Sequence, residues 1–98
     1  MSHRVVITGV GIVSPLGLDS DVSWKQLIKG TSGIDRIKLF DADGFETQIA
    51  AEVKNYDPVP FVGIKQSKRM DRFVQMACTV ALQAIEAANL NLDVVDRN

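Results

Sequence analysis

The chain has 98 residues, of which 46% are hydrophobic and 23% charged, and its formal net charge is −1. This suits one small globular domain and excludes a disordered polyelectrolyte or a globally basic nucleic-acid binder, so any electrostatic partner must be met by a local cluster. A single cysteine and a single histidine exclude a disulfide framework and a cysteine/histidine zinc cage built within one chain.

In chain order, the first element is RVVITGVGIVSPLG, from Arg4 to Gly17. Its β-branched run lacks polar alternation, which describes a strand covered on both faces. Gly9 and Gly11 interrupt it, implying that a neighbouring backbone comes close or that the strand kinks. Pro15 and Gly17 end it. The run is too short and too glycine-broken for a signal peptide, and no segment reaches the roughly 18 apolar residues of a membrane helix. A soluble, cytoplasmic protein is the expectation.

Asp19, Ser20 and Asp21 form an N-cap cluster, and Val22, Trp24, Leu27 and Ile28 follow at helical spacing. Together with Gly30 as the left-handed stop, they predict a helix from about Asp21 to Lys29, with Trp24 as a packing anchor. Residues 34–40 read as irregular and partly buried, and Asp41-Ala42-Asp43-Gly44 as a turn. The two aspartates lack the further oxygen ligands and closing glutamate of a calcium loop. Phe45, Thr47, Ile49, Ala51 and Val53 alternate with polar residues, predicting a half-exposed strand from about Thr47 to Lys54. Pro58 and Pro60 stop it.

A long helix is expected from Lys65 or Ser67 to about Asn89. Met70, Phe73, Val74, Ala77, Cys78, Ala81, Leu82, Ala84, Ile85 and Ala88 form its apolar face, with Arg69, Arg72, Gln75, Thr79, Gln83 and Glu86 on the remainder. Asn89 takes its left-handed stop, and Leu90-Asn91-Leu92 turns into a polar end.

The chemical candidates are few. Gly9-Val10-Gly11 lacks the third glycine and the immediate helix of a dinucleotide fingerprint. Cys78 falls mid-helix on the apolar face, whereas a nucleophilic thiol belongs at a helix N-terminus or beside a base. His3, near the terminus, offers it no supported dyad. Lys65, Lys68, Arg69 and Arg72 crowd the start of the expected long helix, opposed only by Asp71 and against the helix dipole. A solvated face and a docking patch for an acidic partner both account for such a cluster.

The whole set of motifs resembles one family. RVVITGVGIVSPLG, Trp24 followed by Leu27, Gly30 and Ser32-Gly33-Ile34, then Phe40-Asp41 and KRMDRFVQMA, occur in order. They resemble the N-terminus of the β-ketoacyl-acyl carrier protein synthases, in particular the type II, elongating enzymes of fatty-acid synthesis. The type I enzymes and the ketosynthase domains of polyketide synthases are close relatives. The resemblance implies an α/β, thiolase-like fold, five-layered α-β-α-β-α in the complete enzyme. Residues 1–98 would then be the N-terminal segment of the ketosynthase N-terminal domain, incomplete as a domain.

It also implies decarboxylative Claisen condensation by an acyltransferase, usually a homodimer. The chemistry uses a cysteine nucleophile and two histidines, with no metal or organic cofactor beyond the carrier's phosphopantetheine arm. Those catalytic residues belong beyond the equivalent of Asn98, and Cys78 does not align with the nucleophile, so the 98-residue chain is expected to be inactive alone. Lys65, Lys68 and Arg69 match positions that type II synthases use to dock the acidic acyl carrier protein; Arg72 has no such match. Neither nucleic acid nor membrane is an expected partner. Three other readings remain: a non-catalytic module binding acyl carrier protein, a ketosynthase piece of a polyketide synthase, or one piece of some longer chain.

Overall fold

A computed structural model describes residues 3–91, 93 and 94. It divides into two compact units, Met1–Gly11 with Pro58–Asn98, and Ile12–Asp57.

The second unit opens on a tight turn. Ser14 N donates to Gly17 O at 2.9 Å and Gly17 N returns to Ser14 O at 3.2 Å, with Pro15 and Leu16 at the corner. The turn is tied to the first helix, α1 (Ser20–Ile28), through Ser23. This serine is 8% exposed. Its hydroxyl lies 2.7 Å from that of Ser14 and donates to Gly17 O at 3.3 Å. The expected cap cluster supplies one working cap: the Asp19 carboxylate accepts from Val22 N at 2.8 Å, satisfying an orphan donor of the first turn. At the other end Gly30, at φ 75°, lets its own N–H reach Leu27 O at 3.0 Å and Thr31 N reach Gln26 O at 3.1 Å. That pair of bonds is a Schellman stop. The helix lies within one residue of expectation at each end. Trp24 departs from it, being 62% exposed beside Leu27 and Ile28 at 57% and 65%, so it anchors nothing within this unit.

The stretch read as irregular carries β1 (Asp35–Arg36), paired antiparallel with β2 (Ile49–Ala50) in the register Asp35 to Ala50 and Arg36 to Ile49. The strand expected over 47–54 therefore shrinks to two residues, extended by one bond from Ile37 N to Gln48 O at 3.0 Å. Its alternation is also inverted: Ile49 is 57% exposed, while Gln48, Ala50 and Glu52 are half-buried. The turn over 41–44 forms as expected. Asp43 N donates to the Asp41 carboxylate at 3.0 Å and Phe45 N to Ala42 O at 3.1 Å. It sets Phe40 and Phe45 edge to face at 5.9 Å. Beyond the ladder, Glu52 takes over its role: the carboxylate accepts from Lys38 N at 2.9 Å and Leu39 N at 3.1 Å.

Asp35 fixes the charge balance of this hairpin. The backbone N–H of Arg36, 2.7 Å from its carboxylate, and then the Lys38 and Lys54 ammonium groups at 3.6 and 3.8 Å hold its carboxyl below the ordinary value. A depressed carboxyl stabilises the fold above its unfolded pKa, and that contribution disappears as pH falls through the lowered folded value. Because the group is exposed, salt screens it. Wild type and Asp35→Asn should therefore differ slightly in melting temperature at neutral pH and low salt, and converge in acid or in high salt. A gap that widened in acid would contradict this assignment.

The first unit is built on a helix, α4 (Arg72–Ala87), against which α2 (Val59–Val62) packs. The expected single helix from 65 to 89 is in fact two. The one-turn helix α3 (Ile64–Ser67) precedes a non-helical joint, and Asp71 in extended conformation (φ −67°, ψ 157°) starts α4 afresh. Asn89 is left-handed as expected, at φ 51°. The turn beyond it is present, with Val94 N donating to Asn91 O at 3.2 Å; Leu92 lies outside the described residues.

Arg4–Gly11 joins no ladder among the described residues, and Val5 and Ile7 are 90% and 87% exposed. The expectation of a strand with two covered faces is thus unmet among the described residues, since a strand needs a neighbour to pair with. The expectation for its glycines is resolved in favour of close approach. A Cβ on Gly11 would stand 2.0 Å from Val80 O, and one on Gly9 would stand 2.6 Å from both Ala84 O and Ala88 N. The segment therefore lies directly on the α4 backbone.

This packing also overturns the expected helix face. Thr79, read as polar surface, is 1% exposed and donates its hydroxyl to Gln75 O at 3.0 Å; Gln75 and Gln83 are half-buried beside it. Phe73, by contrast, is 72% exposed, and Ala77 and Ala81 face solvent with it. The glycines meet the side of the helix that their close approach allows, which leaves part of the apolar stripe uncovered.

Candidate functional site

The basic cluster sits on α3 and the joint after it, and not at the head of the long helix. Gly63, at φ 82°, separates α2 from α3. Ser67 closes the single turn by donating its hydroxyl to Ile64 O at 2.8 Å. Lys65 is in the last turn of α3, and Lys68 is its C-cap with helical angles. Arg69 N then donates to Gln66 O at 3.0 Å. The chain path is helical through Lys68, so positions 65, 68 and 69 fall at i, i+3 and i+4 on one side.

The relocation changes the electrostatic account. At the C-terminal end of a turn, cations meet free carbonyls and are not opposed by the dipole. What remains unfavourable is their mutual repulsion at these spacings, a few tenths of a kcal/mol per pair. All three side chains are exposed, and among the described residues none is in an ion pair with a carboxylate. Stability alone does not select three like charges on one exposed turn. Arg72 stands apart as the first residue of α4.

The joint is held from α4. Gln75, in the opening turn of that helix, directs its side-chain amide back to Ser67 O at 2.8 Å and Met70 O at 3.5 Å. Sequence reading placed Gln75 on a merely polar face and missed this role. Asp71 starts the helix without a side-chain cap bond, so the spacing from it to Gln75 gave no sign of the contact.

Among the described residues, no other place gathers comparable chemistry. Cys78 is half-buried in the middle of α4, where a thiol lacks the helix-terminal amides that would activate it. Gly9 and Gly11 are occupied by contact with α4 and open no helix. Among the described residues, no cluster of three or more histidine, cysteine or carboxylate side chains could hold a metal, and no helix is long and apolar enough to cross a membrane.

Residues 2–98 match the family described as Beta-ketoacyl synthase, N-terminal domain. The 3-oxoacyl-[acyl-carrier-protein] synthase 2 of Coxiella burnetii is 47% identical over 91 residues, covering 93% of this chain and 22% of the relative. The enzyme of the same name from Staphylococcus aureus strain COL is 39% identical over 92 residues, covering 94% of this chain and 22% of the relative. Among solved structures, the ishigamide ketosynthase/chain length factor superposes with a TM-score of 0.81 at 32% identity, over 90% of this chain and 22% of that one. The chain thus spans about a fifth of the length of the proteins that it matches. Its architecture is part of the α/β, thiolase-like ketosynthase fold, as the resemblance implied. With the family match running from residue 2 to residue 98, the chain belongs to the β-ketoacyl synthase family.

Proposed function

We propose that the chain is the N-terminal part of an elongating condensing enzyme, and that Lys65, Lys68 and Arg69 dock its acidic acyl carrier protein. In the reaction a cysteine thiolate attacks the carrier-bound acyl thioester and displaces the phosphopantetheine thiol. Malonyl-acyl carrier protein then loses carbon dioxide, and the resulting carbon nucleophile attacks the enzyme thioester, forming the new carbon–carbon bond and freeing the cysteine. The chain's own residues contribute the α4 scaffold, the segment seated on it and the basic surface. The nucleophile and its histidines come from the remainder of the enzyme, which on this reading is a cytoplasmic homodimer.

The observation that carries the reading is an exposed basic turn, unpaired among the described residues, in a chain whose relatives are named as acyl-carrier-protein synthases. The 3-oxoacyl-[acyl-carrier-protein] synthase 2 names of relatives at 39–47% identity support the elongating condensing enzyme. The test is direct. The full-length protein, given an acyl-carrier donor and malonyl-carrier, should release one carbon dioxide for each 3-oxoacyl product, and the 98-residue chain should release none. A full-length protein that binds carrier without forming the bond would instead be a non-catalytic carrier-binding module. Turnover by the 98-residue chain would refute the placement of the catalytic residues outside it.

A further inference from the structure

The basic turn cannot hold its own shape. A four-residue helix is far below the length at which helices are stable alone. Its first bonds are short, with Ser67 N to Gly63 O at 3.0 Å and the Ser67 hydroxyl to Ile64 O at 2.8 Å. Those leading out of it into the joint include two long ones, Lys68 N to Ile64 O at 3.4 Å and Met70 N to Ser67 O at 3.5 Å. Ile64 O and Gln66 O are met from within the turn, but Ser67 O, at its end, has only the long bond from Met70 N and is open to an outside donor. Among the described residues, the short bond from beyond the joint is the one from Gln75, which reaches Ser67 O at 2.8 Å and lies within reach of Met70 O. The two carbonyls flank Lys68 and Arg69. Gln75 itself is carried by a sixteen-residue helix, a rigid base.

We propose that Gln75 is a positioning residue for carrier docking: its amide clamps the joint between α3 and α4 and so fixes the spacing of Lys65, Lys68 and Arg69. The proposal rests on the docking reading above. Freed of the clamp, the three cations keep their charge and exposure but lose a fixed geometry, and the entropy of ordering them falls on the binding step. Gln75 touches no reacting atom, so its effect belongs in KM for carrier substrates and not in kcat.

The experiment uses the full-length synthase and compares Gln75→Leu and Gln75→Met with the triple reversal Lys65→Glu, Lys68→Glu and Arg69→Glu. Both Gln75 variants keep an apolar stem and lose the donor, so failure of one to fold leaves the other. Kinetics are read with acyl-carrier substrate and with an acyl-pantetheine donor lacking the carrier protein. The expected result is a rise of about fivefold in KM for the carrier substrate, the equivalent of one lost hydrogen bond, with kcat for either donor moving less than twofold. If the triple reversal raises carrier KM and both Gln75 variants leave it unchanged, the positioning role is refuted while docking stands. If neither raises it, the docking reading itself falls. Equal losses with both donors would mark Gln75 as a general stability residue and also overturn the proposal.

Discussion

Gly11→Ala should strongly lower the melting temperature and soluble yield, although alanine is the smallest possible addition. The new methyl carbon would stand 2.0 Å from Val80 O, 2.8 Å from its carbonyl carbon and 3.0 Å from the Gln83 Cβ. Two of those three neighbours are helix backbone, which cannot rotate away. Either the N-terminal segment lifts off α4 or the helix bends, and overpacking of this kind costs about 1–3 kcal/mol and more where the backbone must move. We expect the upper end, about 3 kcal/mol, against total stabilities of roughly 5–15 kcal/mol for a domain. Gly9→Ala should behave similarly, because its methyl would wedge into the hydrogen bond from Ala88 N to Ala84 O, which spans 3.0 Å. Gly30→Ala is the control. Gly30 has φ 75° but nothing within 4 Å of an added Cβ, so only the left-handed backbone is strained, by about 1–2 kcal/mol. Thermal melts and soluble yield of the full-length variants check the order. Gly11→Ala milder than Gly30→Ala would mean that the segment does not rest on the helix.

The second large effect is electrostatic. Reversing Lys65, Lys68 and Arg69 together should raise KM for carrier-bound substrate by about 30-fold. An exposed ion pair contributes roughly 0.2–1 kcal/mol, and reversal both removes three such attractions and substitutes repulsion, so about 2 kcal/mol is a fair sum. The stability of the fold should hardly change, since three glutamates repel one another much as the three cations do and no ion pair is lost among the described residues. The salt response supplies an internal check. Screening shortens from about 10 Å at 0.1 M to about 3 Å at 1 M, so wild-type KM should climb with salt toward that of the variant. A variant gap independent of salt would point to a structural cause instead.

Much of the local structure was legible because it depends on near neighbours in sequence. Asp19, Gly30, the Asp41–Gly44 turn and Asn89 all act within a few residues of themselves, and each does what its chemistry dictates. The glycine pair was legible for a different reason: two glycines in a β-branched run make sense only if something presses against them. What escaped was set by distant partners. The break before Arg72 has no proline or glycine to announce it, and only the cations massed against a supposed N-terminus hinted that the helix began elsewhere. The buried side of α4 was misread because Thr79 is covered by shape and not by hydrophobicity. Trp24, Ile49 and Phe73 stay exposed because none of the described residues covers them. Of the candidate site, the cations were visible in sequence, but Gln75 was not, because a backward-reaching amide leaves no periodic trace.

The uncovered stripes at Val5, Ile7 and Phe73 also bear on how such an enzyme is made. On the proposed reading this segment leaves the ribosome first, with nearly four-fifths of a relative's length still to follow. At roughly 5–20 residues per second, the stripes would wait on the order of tens of seconds for the layers that cover them. During that interval the nascent chain offers sticky, unclosed surface to every neighbour on the polysome. Holdase chaperones that recognise short aliphatic and aromatic stretches would meet their substrate here, and slowing translation downstream of residue 98 should raise both chaperone occupancy and the aggregated fraction.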